Sequence, residues 1–365
     1  MRGTREPLRR FAVLLALTTA TVIAGTVGSA SAGVAPDCQM TPFPPSGSAS
    51  PFEGVCDYLD TREGVVQVAL YDKKRGETYL LRTGDDAQYT ASIVKVNVLA
   101  RWLNQYQRKG TRIPSGIPYS IRYLFGRMIQ NSDNAATTGL FYFGGGCQSL
   151  TNFNLMIPMN ETKVGCESDS YYGWGNTRTS AADQVRLMKV FAYGSKPAVA
   201  PQGAVGARKR AVRKCLTIKR PVRRKACVNR AKRKFREARK QPILGQDARD
   251  YGNNLMQGDE ADQRFGVTCG PWGETCAPPN WANPDPDVTV SLKNGWKTLP
   301  TCSDPIPQCP WQVNSDGWIT GKGRDYVISV LTTKDPVGTG DTYGFNYGIE
   351  TIQGISKLVW ANLAP

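Results

Sequence analysis

A mixed α+β fold, with an antiparallel sheet built from both chain ends around an inserted helical domain, is predicted by three features of the sequence. Apolar residues alternate at strand period near both ends, helical periodicity fills the middle, and glycine- and proline-rich turns mark the changes between them. Near the start, Val65-Val66-Gln67-Val68-Ala69-Leu70-Tyr71 predicts a strand. Residues 73–76 then turn the chain, and residues 77–82 return as its hairpin partner. From Ser92 to about Tyr106, Val94, Val96, Val98, Leu99, Trp102, Leu103 and Tyr106 crowd one side at helical spacing. Further helices are expected over residues 121–143, broken by Gly144-Gly145-Gly146, and over 180–191, with a long polar loop at 161–179. A short helix is expected at 249–256. Strand period returns at 287–293, 311–320 and 325–333, and a helix over 347–363 closes the chain.

Residues 1–32 read as a signal peptide. Arg2, Arg5, Arg9 and Arg10 precede an apolar run from residue 11 to about 27, and Ala30-Ser31-Ala32 has the small-residue form of a cleavage site. That ending, with the threonines and glycines in the run, favours cleavage over retention as an anchor. The expected organisation is thus a linker or N-terminal extension at 33–57, a first sheet segment at 58–91, the nucleophile helix and helical domain at 92–260 and a second sheet segment at 261–365. A secreted protein meets an oxidising compartment, and the ten cysteines agree with that. Neighbours in sequence give five expected local disulfides: Cys38 with Cys56, Cys147 with Cys166, Cys215 with Cys227, Cys269 with Cys276, and Cys302 with Cys309. The chain offers neither a Cys-x-x-Cys pair nor a histidine to complete a zinc shell, so no metal site is expected.

The net charge of +16 has one source. Between residues 208 and 240 lie seventeen Lys or Arg and one acid, Glu237, leaving equal numbers of basic and acidic residues elsewhere. The basicity belongs to an insert, residues 207–240, in which Cys215 and Cys227 flank Pro221 and staple an expected helical hairpin. An anionic wall polymer or a membrane surface fits such a segment. Nucleic acid fits it poorly, because Phe235 is the segment's only aromatic and bases would find no stacking platform.

The absence of histidine excludes Ser-His-Asp chemistry. Ser92-Ile93-Val94-Lys95 supplies the alternative: a serine and a lysine three positions apart on a helix share a face, so an amine can reach the hydroxyl as its base. At the helix start, backbone N–H groups and the positive dipole end lie beside the hydroxyl. Two more elements come later in the chain, Ser132-Asp133-Asn134 in the helical block and Lys293-Asn294-Gly295 at the end of a strand. Alone, the first reads as a helix cap and the second as a hairpin turn.

Together with Ser92 and Lys95 they resemble the serine penicillin-recognising enzymes, in particular the class A β-lactamases. The resemblance runs from about residue 58 to the C-terminus and is interrupted by the basic insert. It implies the β-lactamase/transpeptidase-like fold, no metal or organic cofactor, and an acyl-enzyme on Ser92. In that scheme Lys95 accepts the serine proton, Ser132 relays a proton to the leaving nitrogen, and Lys293 draws in the substrate carboxylate. Asn134 holds the amide of the acyl side chain, and the backbone N–H groups of Ser92 and Trp296 form the oxyanion hole. Asn294 and Gly295 complete the substrate-binding strand, and Trp296 walls the mouth of the site. Two lysines facing one cleft should depress each other's pKa.

Departures from the family bear on the fate of the acyl-enzyme. The family places a glutamate within a Glu-x-x-x-Asn pattern in the loop after the helical block, and here Glu161, Glu167 and Asp169 all lack the asparagine four residues on. Glu167 is the candidate deacylation base. The middle residue of Lys-Thr-Gly is Asn294, and the strand after it lacks the expected arginine, for which Lys297 or Arg324 could substitute. The expected protein is a secreted monomeric hydrolase of β-lactam amides. Its alternatives are a D-alanyl carboxypeptidase-like hydrolase of cell-wall peptides that releases the acyl group slowly, or a non-catalytic wall-binding protein.

Overall fold

Strand-period segments from both chain ends meet in one six-stranded antiparallel sheet in the computed structural model, which describes residues 38–41, 50–84, 88–166, 172–199, 202–272, 285–299, 309–338 and 342–365. In chain order the strands are β1 (Gln39–Thr41), β2 (Val65–Asp72), β3 (Glu77–Arg82), β4 (Gln88–Tyr89), β5 (Arg178–Thr179), β6 (Val288–Thr298), β7 (Trp311–Gly321) and β8 (Arg324–Thr333). The helices are α1 (Val55–Leu59), α2 (Val94–Arg108), α3 (Tyr119–Gln130), α4 (Asn134–Phe143), α5 (Gly146–Asn154), α6 (Ala181–Tyr193), α7 (Gln202–Leu216), α8 (Pro221–Lys240), α9 (Gln246–Gln257), α10 (Cys269–Trp272) and α11 (Tyr343–Asn362). The sheet order is β1-β3-β2-β8-β7-β6, and β4 pairs with β5 apart from it. The junction of the two chain ends is the β2–β8 ladder, where Val68 lies opposite Val330.

Period-2 alternation sorts the sheet's side chains between two cores. Val66, Val68 and Leu70 of β2 and Tyr326, Ile328 and Val330 of β8 join Ile349, Ile352, Ile355 and Val359 of α11 on one face. Ala69, Val327 and Leu331 point the other way, into the core of α2, α6 and the remaining helical layer. Each fully buried Val, Leu or Ile in these clusters contributes about 1.5–3 kcal/mol relative to exposure. Helix α2 is buried nearly all round, including Lys95, Asn97 and Asn104, and this marks it as the central element of that layer.

The segment expected as a linker or N-terminal extension, 33–57, contributes to the fold: β1 pairs with β3 and becomes an edge strand of the sheet, and the Cys38–Cys56 disulfide ties it to α1. Helix α5 begins within the glycine run expected only as a break. Gly145 and Gly146 have φ of 92° and 54°, a left-handed backbone that reverses the chain and starts the next helix. Cys147–Cys166 and Cys215–Cys227 are also bonded as expected. Cys269 and Cys309 are disulfide-bonded too, and their expected partners Cys276 and Cys302 lie outside the described residues, as does the expected signal segment. No helix among the described residues is long and apolar enough to cross a membrane.

Candidate active site

Ser92 lies in a single 3-10 turn, Ala91–Ile93, that runs directly into α2, so the helix proper starts two residues later than its periodicity suggests. Ala91 has φ 46°, a left-handed backbone that costs a non-glycine residue energy and persists because its surroundings hold it. Those surroundings come from β7, whose cleft-side residues are polar. Asn314 Nδ2 donates to the carbonyls of Tyr89 (2.7 Å) and Thr90 (3.1 Å), and Gln312 exchanges hydrogen bonds with the Tyr89 backbone. Thr90 N donates to Thr177 O at 2.7 Å, linking the turn to the 161–179 loop. Gly295 of β6 passes so close that a Cβ there would lie 2.6 Å from Ser92 N and 2.7 Å from Ile93 N. Sequence reasoning missed Gln312 and Asn314, although polar residues at 312, 314 and 316 alternate along a strand that is otherwise buried.

Three of the expected side chains converge on the amine of a fourth, Lys95. Lys95 Nζ lies 2.9 Å from Ser92 Oγ, 3.0 Å from Ser132 Oγ, 2.6 Å from Ser132 O and 2.8 Å from Asn134 Oδ1. Ser132 presents both of its oxygens because its backbone is left-handed, φ 55°, between α3 and α4. Asp133 steadies this corner by capping α4 through Ala136 N (2.9 Å) and pairing with Arg127 at 2.7 Å. Lys95 has no exposed surface, and its pKa falls to about 6, first through burial and then through the like charge of Lys293, with Asp133 opposing. The contacts fit the neutral form. Two N–H groups match the two obligate acceptors, Ser132 O and Asn134 Oδ1, and the lone pair remains for a hydroxyl proton.

Lys293 is fully buried, and its Nζ has no hydrogen-bond partner among the described residues. Burial lowers its pKa, while Asp259 and Asp262 hold it up. Asp259 is itself buried with both oxygens unpaired, and burial pushes its carboxyl well above the usual range. It lines a cavity of about 460 Å³ with Gln257, Arg264 and Val290, and Ser92 is not among the residues lining it.

Lys293-Asn294-Gly295 is not the end of a strand: β6 continues to Thr298, paired with β7 throughout. Strand alternation then separates neighbours expected to act together. Asn294 points away from Ser92, its Nδ2 donating to the carbonyls of Gln263 (2.7 Å) and Phe265 (3.0 Å), so its amide is committed to structure. The ring of Trp296 likewise packs against Phe265 and Phe345, at 5.4 and 5.3 Å between centroids, and the residue lines the cleft.

The cleft beside Ser92 holds about 190 Å³ and is lined by Ala91, Ser92, Asn134, Tyr172, Trp174, Gly175, Asn176, Trp296 and Lys297. Of the two cations that could stand in for the missing arginine, Lys297 lines the cleft, with its ammonium on Asn176 Oδ1 at 2.5 Å. Arg324 instead bonds Trp360 O at 2.9 Å and lies over that residue's ring. The loop's contribution to the cleft is aromatic. Trp174 is buried, donates to Thr138 Oγ1 at 3.0 Å, and sets its ring 5.2 Å from Lys95 Nζ. Glu167 and Asp169 lie outside the described residues, and among those described no carboxylate hydrogen-bonds to Ser92 or Lys95.

The fold is that of the class A β-lactamases and a penicillin-binding relative. A class A β-lactamase from Mycobacterium abscessus is similar over 85% of this chain and 98% of its own, with a TM-score of 0.52 and 15% identity. A class A β-lactamase from Bacteroides cellulosilyticus matches over 86% and 96% at TM-score 0.54 and 16% identity. PBP-A matches over 85% and 94% at TM-score 0.55 and 15% identity. No family model matches the sequence. No curated protein matches it either.

Proposed function

We propose that this chain is an extracytoplasmic serine hydrolase that takes the acyl group of a β-lactam amide, or of a related cell-wall peptide amide, onto Ser92 and passes it to water. The supporting observation is the buried Lys95 amine, hydrogen-bonded to the Ser92 hydroxyl and depressed to a pKa of about 6, where it is a free base at neutral pH. As Ser92 Oγ forms its bond to the carbonyl carbon, its proton passes to Lys95 Nζ. The backbone N–H groups of Ser92 and Trp296 receive the developing oxyanion. Ser132, 3.0 Å from Lys95 Nζ, relays the proton to the nitrogen as the C–N bond breaks. Lys293 attracts the substrate carboxylate, and Asn134 receives the acyl side chain. An idle wall-binding site fits poorly with two lysines kept wholly buried, each of which gives up either its hydration or its proton, a cost that a site without chemistry has no reason to bear.

Release of the acyl group is the slower half of the reaction. Water attacking the ester needs a positioned base, and among the described residues of the loop it is the indole of Trp174 that lies beside Lys95. This favours the penicillin-binding, D-alanyl carboxypeptidase-like reading over rapid β-lactamase turnover. Intact-mass measurement after mixing with benzylpenicillin, beside a chromogenic cephalosporin assay, tests both. A lasting adduct on Ser92 is the expected result, and fast turnover with no adduct would return the protein to the β-lactamase reading. No adduct and no turnover, with Ser92→Ala indistinguishable from the parent, would overturn the function.

A further inference from the structure

Helices α7 and α8 form a hairpin that the proposed reaction leaves unused. They pack chiefly on each other and are joined by Cys215–Cys227. Arg224 closes the turn by donating to the carbonyls of Ile218 (2.9 Å) and Lys219 (3.3 Å), and Pro221 opens α8. Of the segment's charges only Glu237 is negative, and Arg233 already lies 3.7 Å from it. Arg223, Lys225, Arg230, Lys232, Arg233 and Arg236 are exposed, and at 3.6 residues per turn they cover the half of α8 opposite Cys227 and Phe235. Lys209, Arg210, Arg213 and Lys214 of α7, on the side away from Cys215, are exposed as well. The hairpin is therefore cationic on both outer sides, which suits a flexible chain that can wrap it better than a flat bilayer that meets one side.

The root of the hairpin lies away from the cleft. Asn104 donates to Ile243 O at 2.6 Å and Gln107 to Pro242 O at 3.1 Å, so the end of α8 is held at the C-terminal half of α2. Ser92 precedes the other end of α2, about 18 Å away at 1.5 Å per residue. A polymer on the hairpin leaves the cleft open.

We propose that this hairpin binds a flexible, base-free phosphodiester polyanion, a polyol-phosphate polymer of the kind poly(glycerol phosphate) represents, and so holds the enzyme beside it. Phosphates are recognised by the exposed guanidinium and ammonium groups. Nucleic acid is disfavoured because Phe235, the hairpin's only aromatic, has the Arg208 guanidinium 4.9 Å over its ring.

The test measures binding of the full chain to immobilised poly(glycerol phosphate), with oligothymidylate and phosphatidylglycerol vesicles as competitors at equal phosphate. Affinity is expected to fall about 10²-fold between about 50 and 200 mM salt, as counterion release requires for some five or six phosphate contacts. Changing Arg223, Lys225, Arg230, Lys232, Arg233 and Arg236 together to Gln is expected to weaken binding at least about tenfold while Ser92 acylation stays at the parental rate. A chain lacking residues 207–240 gives a second variant with the same expectation. Unchanged affinity in both variants, salt-independent binding, or stronger competition by oligothymidylate or vesicles would overturn the proposal.

Discussion

Lys95 and Lys293 have no exposed surface, whereas Lys225 and Lys232 stand in water on α8; the same side chain serves opposite ends in the two places. At Lys95, burial strips the ammonium of its hydration, so the neutral amine becomes the stable form and can accept a proton. On the hairpin the charge is kept, and many such charges sum to a field that reaches a polymer before contact. The contrast shows that position in the fold, more than the count of basic residues, separates the chemistry of this chain from its +16 charge.

The sharpest way to break that contrast is Ser92→Ala, expected to lower acylation by penicillin at least about 10³-fold in intact-mass kinetics. Next comes a pairwise comparison of lysines. Lys95→Ala is expected to slow acylation about 10²- to 10⁴-fold, the usual worth of a general base, whereas Lys225→Ala and Lys232→Ala leave the rate at the parental value. Equal effects in the two regions would remove the distinction. Gly295→Ala introduces a methyl within 2.8 Å of three backbone atoms of the nucleophile turn, and the resulting displacement of Ser92 is expected to cost about 10²-fold in acylation rate without loss of helical circular dichroism.

Smaller effects separate structure from chemistry. Asn294→Ala leaves the carbonyls of Gln263 and Phe265 without their donor, so a urea midpoint corresponding to a loss of about 1–3 kcal/mol is expected while acylation holds. Removing Cys215–Cys227 by double substitution to Ser should alter only the hairpin, seen as faster tryptic cleavage after Lys219 with acylation unchanged.

Much of the fold is legible in the sequence alone. Alternation in β2, β7 and β8 and the dense apolar side of α2 are strong local signals, and the sheet built from both chain ends is implied by their order. The serine-lysine pair can be located because its spacing carries the chemistry, and Ser132 through the family resemblance. The features that escape sequence reading depend on distant partners. Asn294-Gly295 has the chemistry of a turn, yet pairing with β7 extends the strand through it, and the alternation that results turns the asparagine away. Segment 33–57 reads as a linker from its Pro/Ser-rich composition, while β1 exists through pairing with β3 and the tie to α1. Trp174 stands in a Gly/Tyr-rich loop with no periodicity, so nothing local places its ring beside Lys95.

The central claim, that a neutral buried lysine activates Ser92, is tested most directly by the pH dependence of acylation in rapid-quench intact-mass experiments with benzylpenicillin. Burial and the charge of Lys293 set the Lys95 pKa at about 6, so the amine is protonated and unable to accept a proton below that pH and free above it. The rate is expected to rise about tenfold per pH unit up to about 6 and then to level off. A rate that stays low through neutrality and climbs only toward the ordinary lysine value of 10.5 would contradict the account.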